Sequence, residues 1–183
     1  SKVTELNSKT IDCIWNGMTA TDELKNQINF SSAYMNNSQV AVIRKADAAK
    51  YKDLASMSGA KVVAEAGSAG EIAVKADAGL SKSYLPVKDQ GTSLMEVKSK
   101  TADIAIIDAV TAAGSIGEGT DYDDLMIVDV ISSADSEVYA VGIRKSDTEL
   151  TAKINAAIKE LYDDGTLAKL ADKYNLSGRI IAQ

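Results

Sequence analysis

The 183 residues carry 20 Lys and Arg against 26 Asp and Glu, a net charge of −6, with 45% hydrophobic and 25% charged residues. This is the balance of a folded domain with a real core, and its bases, scattered among acids, give no footprint for a phosphate backbone, so no nucleic-acid partner is expected. No apolar run reaches the roughly 18 residues of a membrane span, and the absence of histidine rules out Ser-His-Asp and Cys-His nucleophile systems.

The opening SKVTELNSKT lacks the basic, apolar and small-residue order of a signal peptide, so the sequence reads as a mature form and export is inferred only indirectly. TIDCIW (10–15) then predicts a buried strand, and its lone Cys13 reads as a small hydrophobe. TDELKNQ (21–27) reads as a short helix and SQVAVIRK (38–45) as the next extended piece. KVVAEA (61–66) is a strand leading into a helix that starts at GSAGE, where Ser68 and Glu71 fit a capping box. TSLMEVKSK is helical, with Ser93 and Glu96 in the same S-x-x-E spacing. ADIAIID (102–108) predicts a strand feeding the helix AVTAAGSI; LMIVDVIS (125–132) and EVYAVGIRK follow as further strands. In the last third, Ser146 and Glu149 suggest a third capping box, and Leu150, Ile154, Ala157, Ile158 and Leu161 recur at helical spacing until Gly165. Leu167, Leu170, Ala171 and Tyr174 mark one side of a final helix. Strands alternating with helices predict an α/β protein. The only long-range echo is AVIRKAD (41–47) with AVGIRKSD (140–147), two strands that run out into helix starts and look like equivalent parts.

Chemistry is marked mostly by what is missing. One cysteine and no histidine cannot build the usual zinc site, no phosphate-loop or dinucleotide fingerprint occurs, and GTDYDD (119–124) lacks the glycine and distal glutamate of a calcium loop. No metal, no cofactor and no catalytic residue are therefore expected. Four stretches point to a ligand, each with a plainer reading beside it. WNGMTATDE places Asn16, Gly17 and Thr19 where a strand gives way to a helix, as a polar site or as a turn with Thr19 or Thr21 for a cap. EAGSAGE offers amides and a helix dipole to a carboxylate, or simply a capped helix. Asp108 ends a very apolar strand, where a carboxylate needs a cation or hydrogen-bond donors, or caps the next helix. The Ile-Arg-Lys pair reads at face value as two similar strands.

In order and spacing these stretches resemble the extracytoplasmic solute-binding proteins of amino-acid ABC transporters. The matching residues run through LNSKTIDCIWNGMTATDE, INFSSAYMNNSQVAVIRK, DLASMSGAKVVAEAGSAGE, TSLMEVKSKTADIAIIDAV, SEVYAVGIRKSD and INAAIKELYDDGTLAKLADKY. The resemblance implies a two-lobed type II periplasmic-binding-protein fold with two antiparallel hinge strands near 39–45 and 137–144. Lobe 1 would be 1–41 with 142–183, and lobe 2 would be 42–141. It implies an amino acid, or a related small zwitterion, bound in a cleft and delivered to an ABC transporter permease, outside the cytoplasm. Asp108 matches the acid that receives the ligand ammonium. Asn16, Gly17, the Met18 carbonyl, Thr19, Ser68, Ala69 and Gly70 match the remaining contacts. Leu24 stands where many members have an arginine for the ligand carboxylate, and Ala69 replaces a common hydroxyl residue.

The family has a further strand–helix–strand portion of lobe 1 ahead of the point matched by SKVTEL. The sequence reading therefore expects lobe 1 to be incomplete, with a complementing N-terminal segment or a domain-swapped dimer to fill it. The alternatives are a fragment that binds nothing, the ligand-sensing domain of a receptor, and a dehydratase-like enzyme on the same fold.

Overall fold

The structure is a computed structural model describing residues 2–131, 137–174 and 176–183. Along the chain it runs α1 (Lys2–Asn7), β1 (Cys13–Ile14), α2 (Asp22–Gln27), β2 (Asn29–Phe30), β3 (Met35–Asn36) and β4 (Gln39–Arg44). Next come β5 (Val62–Glu65), α3 (Ala69–Ala76), β6 (Tyr84–Val87), α4 (Gln90–Lys98), β7 (Ile104–Asp108), α5 (Ala109–Ser115) and β8 (Leu125–Val130). The chain finishes with β9 (Val138–Tyr139), β10 (Gly142–Ile143), α6 (Thr148–Asp163) and α7 (Thr166–Lys173). It divides into two compact units, Ser1–Asn37 with Asp135–Gln183 (unit 1) and Ser38–Ala134 (unit 2).

Unit 2 is built on one mixed sheet in the order β6-β5-β7-β4-β8. Its middle strands, QVAVIR and IAIID, are apolar almost throughout because both faces are covered. Alternation then sorts their side chains. Val40, Val42, Val63, Ala105 and Ile107 face a core with Leu94 and Val97 of α4 and Ala112 of α5. Ala41, Ile43, Val62, Ala64, Ile104 and Ile106 face a second core with Tyr51, Met57, Val74 of α3 and Leu80. Pro86 lies in β6, an outer strand of the sheet, where a missing N–H is tolerated.

Unit 1 is leaner. Its sheet has three antiparallel two-residue strands, β1-β10-β2, beside a second ladder, β3-β9. Leu6, Ile14, Met18 and Ile28 form its buried cluster, with Val3, Ile11, Leu24 and Phe30 packed around it. Gly142 is needed here for space: a Cβ on it would come within 2.6 Å of Met18 Cε and 3.0 Å of Ile28 Cδ1.

The repeated Ile-Arg-Lys phrase is explained by what its arginines hold. Arg44 Nη1 donates to the carbonyls of Val97 and Ala102, both at 2.7 Å, while Nε reaches Asp47 at 2.6 Å and Nη2 reaches Asp103 at 3.3 Å. Arg144 Nη1 donates to the carbonyls of Leu6 (3.1 Å) and Ile11 (2.5 Å), Nε to Asp147 (2.6 Å) and Nη2 to Asp12 (3.0 Å). Each guanidinium thus ties the end of a helix to the start of a strand. The tied segments are themselves a second echo, ELNSKTID (5–12) and EVKSKTAD (96–103). In both, a lysine takes a left-handed conformation (Lys9 φ 63°, Lys100 φ 68°). The following threonine amide returns to the glutamate carbonyl, Thr10 to Glu5 at 2.9 Å and Thr101 to Glu96 at 3.0 Å. The Arg144 charge is held more firmly than usual, first by Asp12 and also by Asp147.

Several expectations need correction. The stretches 39–45 and 137–144 do not pair with each other: β4 lies between β7 and β8, and β10 lies between β1 and β2. The pairing of the two passages falls earlier, at Met35 with Tyr139 and Asn36 with Val138. Ser93 does not cap α4. That helix begins sooner, and the Asp89 carboxylate accepts from the Thr92 amide at 2.6 Å, leaving Ser93 fully buried within it. Ser146 does not cap α6 either, because Asp147 is the cap residue by position and its carboxylate is turned back to Arg144. The Ser68 box is half right: Ser68 Oγ accepts from the Glu71 amide, but the Glu71 carboxylate takes the Gly67 amide at 2.7 Å. The strand expected over 10–15 is ordered only at Cys13–Ile14, and 132, the end of the strand expected over 125–132, lies outside the described residues.

Candidate functional site

Within unit 2 the topology brings three chain segments to one edge of the sheet. β5 and β7 are parallel, so both deliver their carboxyl ends there, and antiparallel β4 starts there, with Gln39 opposite Asp108. This is the edge of an α/β sheet at which loops and helix starts collect.

Asp108 is 7% exposed. Its Oδ1 accepts from Gln39 Nε2 and its Oδ2 from Gln90 Nε2, both at 2.5 Å, and its own amide donates to Gln90 Oε1 at 3.1 Å. Hydrogen-bond donors of the kind its burial demands are therefore present. Although Asp108 precedes α5, its side chain makes no cap hydrogen bond, so the simple capping reading fails.

The loop 65–70 lies beside it. Ser68 Oγ donates to the Glu65 carbonyl (2.7 Å) and accepts from the Glu71 amide (3.1 Å), which pins the start of α3. Gly70 is where α3 meets the Asp108 cluster, for a Cβ there would be 2.9 Å from Gln39 Oε1 and 3.0 Å from the Ile106 carbonyl. The amides of Ala69 and Gly70 precede the first backbone bond of the helix, Ile72 N to Ser68 O, and are donors of the type that binds anions. Glu71, just inside the helix, is held below the usual carboxylate range, first by Lys75, then by the Gly67 amide and the Tyr84 hydroxyl.

The other expected residues belong to unit 1. Gly17 takes φ +70° and leaves room for the Tyr139 ring, which a Cβ would touch at 3.4 Å. Thr19 forms a bridge with Tyr139, and the Ala20 amide continues it to the Val138 carbonyl at 3.0 Å. Met18 turns its side chain into the core, leaving its backbone to the turn. Asn16 is exposed. Leu24 packs against the same core as Met18, and its amide is capped by Thr21 Oγ1 at 3.3 Å. A leucine here contributes packing where an arginine would contribute two parallel donors.

The structure thus gathers Ser68, Ala69, Gly70 and Asp108 in one unit and Asn16, Gly17, Met18, Thr19 and Leu24 in the other. Sequence reasoning missed Gln39 and Gln90. Gln39 had a signal, a polar residue opening the apolar run QVAVI and here 1% exposed. Gln90 had none.

Residues 1–177 match the model of the bacterial extracellular solute-binding proteins, family 3. The chain belongs to that family. This solute-binding protein is 34% identical over 178 residues to the arginine-binding extracellular protein ArtP of Bacillus subtilis, a match over 95% of its own length and 67% of ArtP. It is also similar to an amino acid ABC transporter substrate-binding protein from Streptococcus pneumoniae bound to L-arginine. That structure has a TM-score of 0.82 at 26% identity, with 99% of this chain and 73% of that one covered. A third likeness is to the ancestral amino-acid-binding protein AncCDT-1, a precursor of cyclohexadienyl dehydratase, at TM-score 0.80 and 29% identity, covering 94% and 72%. The expected two-lobed periplasmic-binding-protein fold is therefore established for this family member. Among the described residues no group of three or more His, Cys, Asp or Glu is placed to hold a metal.

Proposed function

We propose that this family 3 protein binds an amino acid outside the cytoplasm and hands it to an ABC transporter permease without transforming it. The observation that carries the reading is Asp108, a buried carboxylate held by two glutamine amides at the edge where the α3 amides also emerge. It can take an α-ammonium group. The amides of Ala69 and Gly70, with the helix dipole behind them, suit the negative end of a zwitterion. Asn16, Gly17, the Met18 backbone and Thr19 of unit 1 are the further ligand contacts that the family resemblance implies. Leu24 withholds the bidentate grip on the carboxylate, so affinity rests more heavily on Asp108. Arginine leads the panel to be tried because ArtP is named for it and the Streptococcus pneumoniae structure contains it.

Titration calorimetry against the twenty amino acids is the test. Binding of at least one, abolished in Asp108→Ala with the circular-dichroism spectrum unchanged, is the expected result; equal affinity in the variant, or no binding by either protein, would reject the reading. A second reading, a dehydratase-like enzyme, is favoured by the likeness to AncCDT-1. Turnover of a prearomatic acid by the wild-type chain would establish it in place of the first.

A further inference from the structure

An asparagine side chain can be lost to its own backbone when the amide nitrogen of the next residue reaches its Cγ. Small successors allow this best, and the chain offers Asn7 before Ser8, Asn16 before Gly17 and Asn37 before Ser38. Glycine is the most permissive of them, since without a Cβ its nitrogen is unhindered and its backbone takes the bend that the approach needs. In a folded protein the attacking nitrogen must also be uncommitted, and the side-chain amide must be loose and open to water.

The structure sorts the three pairs. Asn7 is exposed, but it ends α1 and the Ser8 amide donates to the Thr4 carbonyl at 2.9 Å, so the nucleophile is engaged. Asn37 is 1% exposed and its Nδ2 donates to Glu137 Oε2 at 3.0 Å, so its amide is held and water is kept away. Asn16 carries neither restraint. It is exposed and lies beyond β1, outside any helix or strand, and among the described residues the Gly17 amide donates no hydrogen bond. Backbone bonding resumes only at Ala20, whose amide donates to the Val138 carbonyl. Gly17 itself holds φ +70° against the Tyr139 ring, a conformation that favours glycine, so the geometry of the turn maintains the reactive pair.

We propose that Asn16 is a self-modification site, converting without an enzyme into aspartate and isoaspartate. The Gly17 nitrogen gives up its proton and bonds to Asn16 Cγ, the Cγ–Nδ2 bond breaks, and the nitrogen leaves as ammonia, closing a cyclic imide. Water then opens the ring at either carbonyl. Opening at Cγ restores the ordinary main chain with a carboxylate beside it. Opening at the main-chain carbonyl routes the chain through Cβ and Cγ and lengthens the turn ahead of Met18 and Thr19. No electrons change hands, and either product adds a negative charge to the present −6. The consequence for a ligand rests on the proposed function, since Asn16 and Gly17 are contacts that the family resemblance implies.

The test keeps the 183-residue protein in warm, mildly alkaline buffer made with heavy-oxygen water, then digests it with trypsin, which frees 10–25 as one peptide between Lys9 and Lys25. Conversion of that peptide to labelled acid, with isoaspartate among the products, is expected while Asn7 and Asn37 remain amides. Asn16→Gln, whose longer side chain closes a ring less readily, should keep its amide over the same period. An unchanged peptide 10–25, acid at Asn7 or Asn37 as early as at Asn16, or aspartate without isoaspartate would overturn the inference. Ion exchange separates fresh from converted protein, and calorimetry on each reads the consequence. Weaker amino-acid binding by the converted form is expected, and equal binding would strike Asn16 and Gly17 from the ligand contacts. Fresh protein that binds no amino acid would reject the proposed function while the mass result still decides the modification.

Discussion

Arg44 and Arg144 make the same four kinds of hydrogen bond, and yet the units around them differ in substance. Around Arg44 stands a five-stranded sheet with a packed core on each face; around Arg144, a three-stranded sheet with one small core and an open apolar groove. The helix-to-strand joint is therefore self-contained. It needs a left-handed lysine, two carbonyls turned inward and two aspartates, and it forms whether or not the sheet beside it is wide. What completes a unit is the burial of the face that the joint leaves behind, which supplies most of the favourable free energy of folding.

The comparison breaks most sharply at Ile106, buried within β7, and Trp15, which follows β1 and is 59% exposed. Ile106→Ala should lower stability by about 2–5 kcal/mol, as for other buried large-to-small changes, while Trp15→Ala should change it by less than about 1 kcal/mol. Urea unfolding of the two variants checks this, and equal losses would mean that Trp15 is already covered in solution. Next in size is the joint itself. Arg44→Met, which leaves Asp47, Asp103 and two carbonyls without their donor, should lose about 3 kcal/mol. Arg144→Met should also destabilise but by less, because the side chain of its partner Asp12 is 86% exposed and can return to water. A larger loss at Arg144 would show unit 1 to depend on its joint more than unit 2 does.

The smallest effect concerns pH and lies at Glu71 of unit 2. Lys75, the Gly67 amide and Tyr84 hold the Glu71 carboxyl below its ordinary value of 4.5, so the folded protein binds this proton less readily than the unfolded chain. That contribution is complete above 4.5 and fades as pH falls through the lowered value. Glu71→Gln should remove it, so the loss of stability on acidification becomes shallower in the variant; parallel wild-type and variant curves would refute the assignment.

Much of this was legible from residue patterns. QVAVI and IAIID could only be strands buried on both faces, and the spacing of Ile154, Ala157, Ile158 and Leu161 announced α6. Asp108 stood out because a carboxylate ending such a strand needs an explanation, and its position next to Gln39 and Gln90 supplies one. The caps were less readable, since S-x-x-E at 93–96 and 146–149 has the right spacing but each time a nearby aspartate takes the cap position. The second echo, ELNSKTID with EVKSKTAD, is less visible because its offset of 91 differs from the 100 of the Ile-Arg-Lys pair. The shared carbonyl grip of the two arginines, the left-handed lysine and the threonine-to-glutamate bond together make the segments equivalent. The contacts of Gln90 depend on where β7 ends in space, which no local pattern encodes.

Gly142 and Val42 hold matching positions, and the volume that valine occupies in one unit is taken in the other by the tips of Met18 and Ile28. Parts can therefore no longer be exchanged between the halves. Grafting VAVIRKAD over AVGIRKSD would place a valine side chain against Met18 Cε and Ile28 Cδ1, and only a simultaneous trimming of both residues would let the transplant fit. Two stretches that read almost alike have become private to their surroundings through the loss of one side chain.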